Sequence, residues 1–524
     1  MTPETHGMHS AMSGAKPGFS RLFPNLPTFQ ISPTAALMLG SAMTVEGVPK
    51  KDGIMPAGYT YFGQFIDHDI TRDVTPDSDA LDGPLPAVML EIEQARSPTL
   101  DLDSVYGNVP EGTKGGTSPR SNNGTGPFFE FGITQPSAGA GNSGQPLAND
   151  LPRGPFPLDA NGDRTGAPAK VLIPDDRNDE NLIVGQMHLA WMKFHNAVAR
   201  TLMSNDMSLS DTMAFEKARE LVTQHYQHIV LHDFLKQVCE PSVWADVVQK
   251  GKCRHCDTTV AETATMPLEF AVAAFRFGHT MIRQAYDWNA NFRDGAFGAA
   301  VFAGKDLGKE RSLSLFFHTN NNLSSDRPLE TNWIADWRRL LDFDGTGFDA
   351  GNVTFANAAA FDPLLASGMG NLERAPNKPV LNNLAASNLR RGALRGLPSG
   401  QDVSAAMSTV KVLTKAEMKK NLPEEMAGLV DTLELDQKAP LWFYILQEAN
   451  ARHNGDHLGE MGSLLVAETF VSLVKASKPS IIASGWTPSQ SPLRLSNGSE
   501  VDTLPKMMAF CDENGNPIIN PLGV

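Results

Sequence analysis

The chain has 524 residues, of which 41% are hydrophobic and 20% are charged, as in ordinary globular proteins. Its formal net charge of −15 argues against a general affinity for nucleic acids or anionic membranes, which are themselves negatively charged. The sequence contains no run of about twenty apolar residues, so it predicts no membrane span. The N-terminus also lacks the basic and apolar regions of a standard secretory signal, and we expect either a cytoplasmic protein or one secreted by a leaderless route.

The predicted elements indicate a mainly α fold with long irregular loops and little β structure. Residues 1–45 contain many Pro, Gly, Ser and Thr residues, which predicts an N-terminal extension or surface arm, and residues 46–524 are expected to form a single domain. The segment 107–168 is typical of a long covering loop. Apolar periodicity predicts long helices at residues 180–203, 211–238, 267–286, 440–449 and 460–476.

The first stretch that suggests chemistry is YFGQFIDHDITRD, residues 61–73, where His68 lies between Asp67 and Asp69. On a helix, Gln64 and His68 share one face because they are four residues apart, whereas the two aspartates point to either side. Taken alone, the segment is compatible with a buried histidine held by its neighbours, a charge cluster at a helix end, or an HD-type metal phosphohydrolase. A phosphohydrolase requires further His and Asp ligands, and the sequence offers no convincing set.

The stretch ARSPTLDLDSVYG, residues 95–107, alternates oxygen-bearing and apolar side chains. The alternation puts the apolar side chains on one side of the chain. The oxygen-bearing side chains on the other side are those of Ser97, Thr99, Asp101 and Asp103. Two carboxylates, a hydroxyl and nearby carbonyl groups suit a hard cation such as Ca²⁺. A polar loop with Asx turns explains the same residues without a cation, so both interpretations stay open.

Arg177 and Glu180 lie three residues apart at the start of the predicted helix 180–203. Glu180 can stabilise that helix through the helix dipole, because a negative charge near the N-terminus is favourable. Arg177 could be a fixed cation directed into a cavity. The pair is therefore a candidate either for a helix cap or for a binding site.

Cys253 and Cys256 form a CxxC pair, but Asp257 occupies the place of the histidine in a c-type haem attachment motif. The other two cysteines of the chain are poorly spaced for a zinc site. The pair is either redox-sensitive or incidental, and it does not direct the functional interpretation.

His279 lies within FRFGHTMIR, a predicted helix rich in apolar residues, with Gly278 beside it. A single histidine on an apolar helix is more often a satisfied core residue than a ligand. A glycine that clears space next to it, within aromatic walls, is nevertheless what a flat cofactor requires. In the later segment ASNLRRGALRGLPSG, Asn388 precedes arginines that could form a surface patch or bind carboxylate or phosphate groups.

Taken together and in this order, the segments resemble the haem peroxidases of the animal-peroxidase, or peroxidase–cyclooxygenase, superfamily, and they look closest to its bacterial members. The resemblance implies a large helical haem-peroxidase domain. The matching motifs lie within residues 58–400, whereas residues 401–524 are helical and carry no comparable motif. These motifs are GQFIDHD, LDLDSVYG, DDRNDEN, LAWMKFHNAVA, FRFGHTMI and NLRRGALRGLP.

The resemblance also implies a role for each candidate residue. It makes His68 the distal histidine, with Gln64 as its neighbour over the pocket, and Arg177 the distal arginine. His279 becomes the proximal ligand of the haem iron, and Asn388 the acceptor of a hydrogen bond from that ligand. The remaining implied contacts are a haem propionate for Arg391, ester bonds to haem methyl groups for Asp67 and Glu180, and Ca²⁺ for Asp69, Ser97, Thr99, Asp101 and Asp103.

From these roles we expect a haem b enzyme that reduces hydrogen peroxide and oxidises small organic donors, with bromide, iodide and thiocyanate as further candidate donors. His68 would accept and return the proton of peroxide, and Arg177 would stabilise the charge that develops as the O–O bond breaks. A Ca²⁺ bound by Asp69 would connect the distal helix to the loop 97–103. Ester bonds between the protein and the haem stay open.

Two departures from the family pattern bear on the alternatives. The fatty-acid dioxygenases of the superfamily carry a radical-forming tyrosine three residues before the proximal histidine, where this chain has Arg276, and a haem-dependent dioxygenase is therefore disfavoured. Asn181 follows Glu180 in place of the methionine that gives one mammalian member a sulfonium link, which excludes that bond. A metal phosphohydrolase using His68 and Asp69 stays as the alternative from another class.

Overall fold

The computed structural model describes most of the chain. The described residues are 18–75, 78–84, 92–107, 118–155, 158–162, 165, 169–255, 265–292, 328–372 and 376–524. They form a mainly helical fold with little β structure, as the sequence predicted. None of the helices that they form is long and apolar enough to cross a membrane.

The helices differ widely in length. The longer ones are α1 (Pro33–Met43), α2 (Gly58–Ile70), α3 (Leu182–Asn205), α4 (Asp211–Ile229), α5 (Leu384–Leu394), α6 (Glu424–Thr432), α7 (Leu441–His453), α8 (Glu460–Ala476) and α9 (Leu504–Glu513). Short α-helices occupy Ser78–Leu81, Asp103–Tyr106, Ser121–Gly124, Leu235–Val238, Pro241–Trp244, Pro379–Asn382, Gly400–Ala406, Lys415–Lys419 and Ile481–Ser484. Segments of 3₁₀ or π helix occupy Gly141–Gly144, Asp176–Asp179, Val230–Phe234, Ala245–Gln249, Glu269–Ala273, Ala274–His279, Thr331–Trp333, Trp337–Arg339, Ser367–Gly370 and Pro488–Gln490.

Two small sheets accompany the helices. The strands are β1 (Phe19–Ser20), β2 (Asp52–Pro56), β3 (Met266–Pro267) and β4 (Asn357–Ala359). β1 pairs in parallel with β3, and β2 pairs antiparallel with β4, with Asp52 opposite Ala359. β2 leads directly into α2, whose first residue, Gly58, donates its N–H to the carbonyl of Leu340 at 2.7 Å. The second sheet therefore fixes where α2 enters the core.

Four of the predicted long helices are confirmed. α3 begins at a cap, because the side chain of Asn181 accepts a hydrogen bond from the N–H of Val184. Its residues are buried nearly all round, as their apolar pattern indicated. α4 continues through a π turn to Val238, where the sequence predicted its end. α7 and α8 lie where the two C-terminal helices were predicted.

The helix predicted at 267–286 is present only in part, so that prediction is wrong beyond His279. The first residue of the predicted range belongs to β3. A π turn then occupies Glu269–Ala273, and a 3₁₀ helix occupies Ala274–His279. The two turns meet at Ala273, whose φ of −130° and ψ of −67° lie outside helical values. Farther on, the carbonyl of Met281 accepts a hydrogen bond from the N–H of Ala359, next to β2. Apolar periodicity does not reveal the change, because these residues are buried in either conformation.

Part of the predicted surface arm, residues 1–45, is instead a packed helix. One face of α1 is buried and packs on α5. A Cβ at Gly40 would lie 2.6 Å from the backbone nitrogen of Ala386, so the close approach of the two helices requires a residue without a side chain. Residues 1–17 lie outside the described part of the chain. The domain boundary after residue 45 stays a prediction.

The long loop predicted at 107–168 is irregular in its described parts. Short helical turns at Ser121–Gly124 and Gly141–Gly144 interrupt it, and isolated bridges connect it to distant segments. One such bridge pairs Gln135 with Glu330. The loop is thus held to the helical core by backbone contacts rather than by a sheet.

Stacked aromatic rings hold α2 against α3. The ring of Trp191 on α3 lies nearly parallel to those of Phe62 and Phe65 on α2, at centroid distances of 5.9 and 6.1 Å. Tyr226 on α4 meets the same tryptophan edge-on at 5.2 Å. These contacts bury the apolar face of α2, and they fix the direction in which its polar residues, including His68, leave the helix.

Candidate active site

A cavity of about 370 Å³ lies between α2 and the 3₁₀ helix that ends at His279. Its wall brings together residues that the sequence assigned to one site, Gln64, Asp67, His68, Glu180 and His279. Phenylalanine, methionine, isoleucine and leucine side chains form much of the remaining wall, together with polar residues such as Asn181 and Arg276. A largely apolar pocket with a few convergent polar groups is the usual form of a small-molecule or cofactor site.

The two ring nitrogens of His68 have different surroundings, and the side chain is almost fully buried. Nδ1 lies 2.9 Å from Oδ1 of Asn178, to which it donates a hydrogen bond as the amide is oriented. Nε2 lies 3.5 Å from Oε1 of Glu180, which lines the cavity. Asn178 in turn places Nδ2 3.0 Å from Nδ1 of His188 on α3. The imidazole is therefore anchored through Nδ1 while Nε2 is directed toward the cavity.

The surroundings keep His68 uncharged. Burial lowers the pKa of His68 below its ordinary value of 6.5, and the positive charge of Arg177 lowers it further, against the opposing effect of Glu180. A neutral imidazole near pH 7 can accept a proton, which the protonated form cannot. The electrostatics thus suit His68 to act as a general base.

The guanidinium of Arg177 is occupied by hydrogen bonds and does not line the cavity. Nε lies 3.0 Å from Oδ1 of Asp175, and a terminal nitrogen lies 2.7 Å from Oδ2 of the same carboxylate. That nitrogen also donates to the backbone carbonyl of His68 at 2.8 Å. The arrangement departs from the expectation that Arg177 is directed into the cavity, because the buried carboxylate of Asp175 attracts it. Its charge still contributes to lowering the pKa of Asp67 and His68.

Gln64 connects α2 to the start of α3. Its Nε2 donates a hydrogen bond to Glu180, and its Oε1 accepts one from Nδ2 of Asn181 at 3.0 Å. The Glu180 side chain is 41% exposed, so its carboxylate stays accessible from the cavity. Gln64 therefore orders the side of the cavity next to His68.

Asp67 faces the cavity on the other side of His68. Its Oδ1 accepts a hydrogen bond from the hydroxyl of Thr71 at 2.8 Å, and its Oδ2 lies 3.8 Å from a terminal nitrogen of Arg276. Burial alone would raise the pKa of Asp67, but the positive charges of Arg276 and Arg177 and the hydrogen bond from Thr71 together lower it. Asp67 is therefore an ionised carboxylate at the cavity wall.

His279 lies at the end of the 3₁₀ helix, with its Nδ1 2.7 Å from Nδ2 of Asn388 on α5. The structure places Asn388, the expected partner, beside His279, with the amide nitrogen rather than the amide oxygen toward Nδ1. Ligation of a metal by Nε2 requires the proton on Nδ1, and a 180° rotation of the amide then supplies the acceptor. Trp442 on α7 supports this segment by donating Nε1–H to the carbonyl of Arg276 at 3.1 Å.

The cavity fits the haem that the resemblance implies. A Cβ at Gly278, beside His279, would meet no described atom within 4 Å, so space is open next to the candidate ligand. An imidazole held through Nδ1 is the usual protein ligand of a haem iron, and His68 provides a second imidazole in the same cavity. The residues present therefore suit a flat iron-bearing cofactor.

Arg391, assigned to a haem propionate, is partly buried on α5 and is not part of the cavity wall formed by the described residues. Its neighbour Arg390 is fully buried and donates to the backbone carbonyls of Ile31, Leu81 and Gly83. Arg390 thus has a structural role, which the sequence did not distinguish from anion binding.

Asp69 points away from the cavity toward the loop 97–103. Its Oδ1 accepts a hydrogen bond from the N–H of Ser104 at 3.0 Å, whereas the neighbouring His68 contacts Asn178. The two side chains of the HD pair thus have separate partners. The described residues contain no group of three or more His, Cys, Asp or Glu side chains arranged to hold a metal ion, such as a phosphohydrolase requires.

The loop 97–103 gathers its oxygen atoms by a turn rather than by strand-like alternation. Ser97 donates its hydroxyl proton to Asp103, and Thr99 donates to Asp101 at 2.8 Å. Leu102 adopts a left-handed conformation with φ of 58°, which is strained for a residue with a side chain. The turn brings both aspartates to the side of the loop that faces α2.

Three carboxylates lie around this loop and at the facing end of α2. One oxygen of each of Asp69, Asp101 and Asp103 is buried without a hydrogen-bond partner among the described residues. Burial and the charge of Asp101 raise the pKa of Asp69 to about 7, and burial likewise raises the pKa of Asp103. Buried carboxylates without partners are costly unless a cation compensates them. Oxygen ligands of this kind suit Ca²⁺, although among the described residues no three of these side chains are arranged to hold a metal ion.

Two residues of the site were missed by sequence reasoning. Asn178 is the partner of His68, and Asp175 is a fully buried carboxylate that binds Arg177 and also accepts a hydrogen bond from Arg96 at 2.8 Å. The only signal was their position on either side of Arg177 within DDRNDEN. Asn178 contacts α2, and Asp175 contacts Arg96 in the segment that follows α2, and one sequence does not reveal such contacts.

A sequence model of the animal haem peroxidase family matches residues 91–477 of the chain. The matched range includes Arg177, Glu180, His279 and Asn388, and it begins after the end of α2. The match covers most of the chain.

Similar curated proteins have related names but are longer than this chain. A peroxidasin homolog of Mus musculus is 29% identical over 197 residues, which cover 37% of this chain and 12% of that protein. A peroxidase-like protein of Margaritifera margaritifera is 26% identical over 145 residues, covering 27% of this chain and 17% of that protein. A thyroid peroxidase of Canis lupus familiaris is 31% identical over 117 residues, which cover 22% of this chain and 12% of that protein. The matches therefore span less than a fifth of the length of these relatives.

Solved structures with the same fold cover almost the whole chain. Peroxidase A from Dictyostelium discoideum has a TM-score of 0.56 at 14% identity, covering 97% of this chain and 92% of that one. A fatty acid alpha-dioxygenase from Arabidopsis thaliana has a TM-score of 0.55 at 13% identity, and the match covers 97% of this chain and 79% of that one. At these identities the similarity establishes a common fold.

Proposed function

Because the chain belongs to the animal haem peroxidase family, we propose that it is a peroxidase that reduces hydrogen peroxide while oxidising small organic donors. The observation that carries the proposal is the cavity that contains both His68 and His279. Family membership accounts for an oxidoreductase, and the two histidines account for a haem site with a proton-accepting group beside it. Hydrogen peroxide is small enough to reach His68 in such a pocket.

His279 would ligate the iron of haem b through Nε2, with the proton on Nδ1 directed at Asn388. An amide accepts a hydrogen bond more weakly than a carboxylate, so His279 keeps the character of a neutral imidazole and the iron a higher reduction potential. When bound, the haem supplies the iron that receives peroxide and the oxidising equivalents that pass to the donor. Arg391 stays a candidate partner of a propionate.

His68 would move the proton. Its neutral imidazole would accept a proton from hydrogen peroxide at Nε2 and return it to the oxygen that departs as water, while the haem, when bound, would supply the two electrons for breaking the O–O bond. Gln64 keeps the adjoining wall ordered through Glu180 and Asn181. Arg177 contributes a fixed positive charge behind His68, which stabilises the negative charge that develops on the departing oxygen.

Asp67 and Glu180 are candidates for ester bonds to the haem because both carboxylates line the cavity. Glu180 is the more accessible of the two, since Asp67 is held by Thr71 and Arg276. The test is extraction with acidified butanone, which removes free haem and leaves ester-linked haem with the protein.

Calcium would bind at Asp69, Ser97, Thr99, Asp101 and Asp103. The unpaired carboxylate oxygens of the three aspartates support this proposal. The ion would tie α2 to the loop 97–103 and so hold the backbone next to His68.

The donors proposed are small organic molecules, with bromide, iodide and thiocyanate as further candidates. Fatty-acid oxygenation is disfavoured because Arg276 occupies the place of the radical-forming tyrosine. An arginine cannot form the radical that abstracts hydrogen from a fatty acid. The residue at this position therefore favours peroxidase over dioxygenase chemistry on a fold that serves both.

The experiment compares three activities of the haem-loaded protein. We expect peroxide-dependent oxidation of a small phenol, no oxygen uptake with linoleate in the absence of peroxide, and no hydrolysis of a phosphate ester. Oxygen uptake with linoleate alone would assign the protein to the dioxygenases. Phosphate-ester hydrolysis without haem would assign it to the phosphohydrolases.

A further inference from the structure

Three buried side chains form a continuous line of hydrogen bonds behind the cavity. His68 on α2 contacts Asn178 at 2.9 Å, and Asn178 contacts His188 on α3 at 3.0 Å. Asn178 and His188 are fully buried, so water does not compete for these contacts. A neutral imidazole can carry its proton on either ring nitrogen, and the partner of one nitrogen decides which tautomer is present.

His188 is the partner of the Asn178 amide nitrogen as the amide is oriented in the structure. Burial lowers the pKa of His188 to about 3, so its ring is neutral and one of its nitrogens is an acceptor. Nδ1 of His188 accepts from Nδ2 of Asn178, and its Nε2 has no hydrogen-bond partner among the described residues. In this orientation the amide nitrogen faces His188, and the amide oxygen faces Nδ1 of His68.

We propose that Asn178 is a positioning residue that holds His68 in the tautomer with its proton on Nδ1. The lone pair of Nε2 is then available on the cavity side to accept a proton from the substrate. The catalytic consequence rests on the proposed peroxidase function, whereas the tautomer does not.

The contact with Asn178 opposes a competing interaction on the other side of the ring. Oε1 of Glu180 lies 3.5 Å from Nε2 of His68 and would favour a proton on that nitrogen. Such a tautomer would turn His68 from a proton acceptor into a donor toward the cavity. The hydrogen bond to Asn178 is shorter and fully buried, and Glu180 already accepts a hydrogen bond from Gln64, so the Asn178 contact dominates.

The direct test is the ¹⁵N spectrum of the histidine-labelled full-length protein at neutral pH, without added haem. Long-range correlations distinguish a protonated from an unprotonated ring nitrogen, and the His68→Gln variant identifies the signals of His68 by their loss. We expect the proton on Nδ1. A proton on Nε2 would overturn the proposal whatever the activity of the enzyme.

The second test uses two substitutions of similar size in the haem-loaded protein. Asn178→Asp keeps an acceptor for Nδ1 of His68, and His188 can move its own proton to Nδ1 and donate to the new carboxylate. Asn178→Leu removes the acceptor. We expect Asn178→Leu to lower the rate constant for the reaction with peroxide by about 10- to 100-fold, which is only part of the loss expected when the general base itself is removed. The rate constant of Asn178→Asp should stay close to that of the wild type.

The control is Asp176→Asn on the same helical turn, because the Asp176 side chain is exposed and pairs with Arg72. It should leave the peroxide reaction unchanged. The rate at limiting donor should be the same in all variants, since only the peroxide step needs the tautomer. Equal losses in Asn178→Leu and Asn178→Asp would reduce Asn178 to a packing role and refute the proposal. A wild-type protein that binds no haem would refute the proposed function instead, and the ¹⁵N spectrum would still decide the tautomer.

Discussion

At the scale of single residues, three consecutive side chains of α2 serve three different surroundings. Asp67 faces Arg276 at the cavity, His68 contacts Asn178, and Asp69 accepts a hydrogen bond from the loop 97–103. Consecutive residues of a helix point about 100° apart, so one turn can reach all three. A displacement of this turn therefore affects the cavity and the carboxylate cluster together.

Replacing His68 by glutamine should abolish the proton transfer while leaving the cavity intact. We expect the rate constant for the reaction with peroxide to fall by about 10²- to 10⁴-fold, the usual contribution of a general acid–base group. Stopped-flow absorbance of the haem-loaded protein measures it. The control is His228→Gln, a partly exposed histidine on α4 that stacks on His232 outside the cavity. A rate within a few-fold of wild type in His68→Gln would show that another group moves the proton.

The sequence indicated the residues that line the candidate site better than the residues that hold them in place. Gln64, His68 and His279 were predicted because their spacing and neighbours follow a family pattern. Asn178 and Asp175 were not, because each acts through a contact with a segment distant in sequence. The resemblance made Arg177 the distal arginine, and the sequence cannot show that a buried carboxylate two residues away binds it.

At the scale of elements, the packing of α1 on α5 depends on a glycine. A Cβ at Gly40 would lie 2.6 Å from the backbone nitrogen of Ala386, so Gly40→Ala must push the two helices apart. We expect a loss of about 1–3 kcal/mol in the free energy of unfolding, measured by urea denaturation. Gly428→Ala on α6 is the matched control, because a Cβ there meets no described atom within 4 Å. The packing account fails if both substitutions have the same effect.

A buried lysine connects α3 to the C-terminal segment and makes stability depend on pH. Lys193 donates to Asn149 and to the carbonyl of Pro517, and burial lowers its pKa to about 7. Between that value and the unfolded value of 10.5 the unfolded chain binds more protons, so stability rises with pH.

Relative to Lys193→Met, the free energy of unfolding of the wild type should increase by up to about 1.4 kcal/mol per pH unit above pH 7. Urea denaturation of both proteins at pH 7 and pH 9 measures the difference. A difference that does not change with pH would mean that Lys193 is charged in the folded protein at both values.

Removal of the proposed calcium should disturb α2 through Asp69. We expect chelation to lower the thermal stability of the protein and to slow its reaction with peroxide, because Asp69 adjoins His68. The Asp101→Asn variant, which removes one of the unpaired carboxylate oxygens, should bind less calcium and show the same changes without a chelator. Calcium that is lost without any effect on the haem spectrum or the peroxide rate would disprove the coupling.

Apolar periodicity predicted most long helices correctly, since α3, α4, α7 and α8 are buried along most of their length. The prediction from periodicity failed in two segments where the amino-acid pattern and the backbone geometry do not agree. The segment before His279 stays buried while it changes from a π turn to a 3₁₀ helix, and α1 is a helix in a stretch whose composition favours a loop. Backbone geometry at these places depends on packing partners that lie elsewhere in the chain.

At the scale of the whole molecule, the fold assembles one cavity from segments that are far apart in sequence. α2 provides His68, the 3₁₀ helix provides His279, and α5 and α7 support the latter through Asn388 and Trp442. The same fold occurs in a peroxidase and in a dioxygenase, so the fold alone does not select the chemistry. Within the cavity, Arg276 is the residue on which we base the proposal of a peroxidase rather than a dioxygenase.

The absorption spectrum of the purified protein, titrated with haem and then mixed with hydrogen peroxide, tests the central proposal most directly. The account predicts a Soret band that saturates at one haem per chain, that is weakened in His279→Ala, and that shifts rapidly when peroxide is added. It is contradicted if the protein binds no haem, or if the bound haem keeps its spectrum in the presence of peroxide.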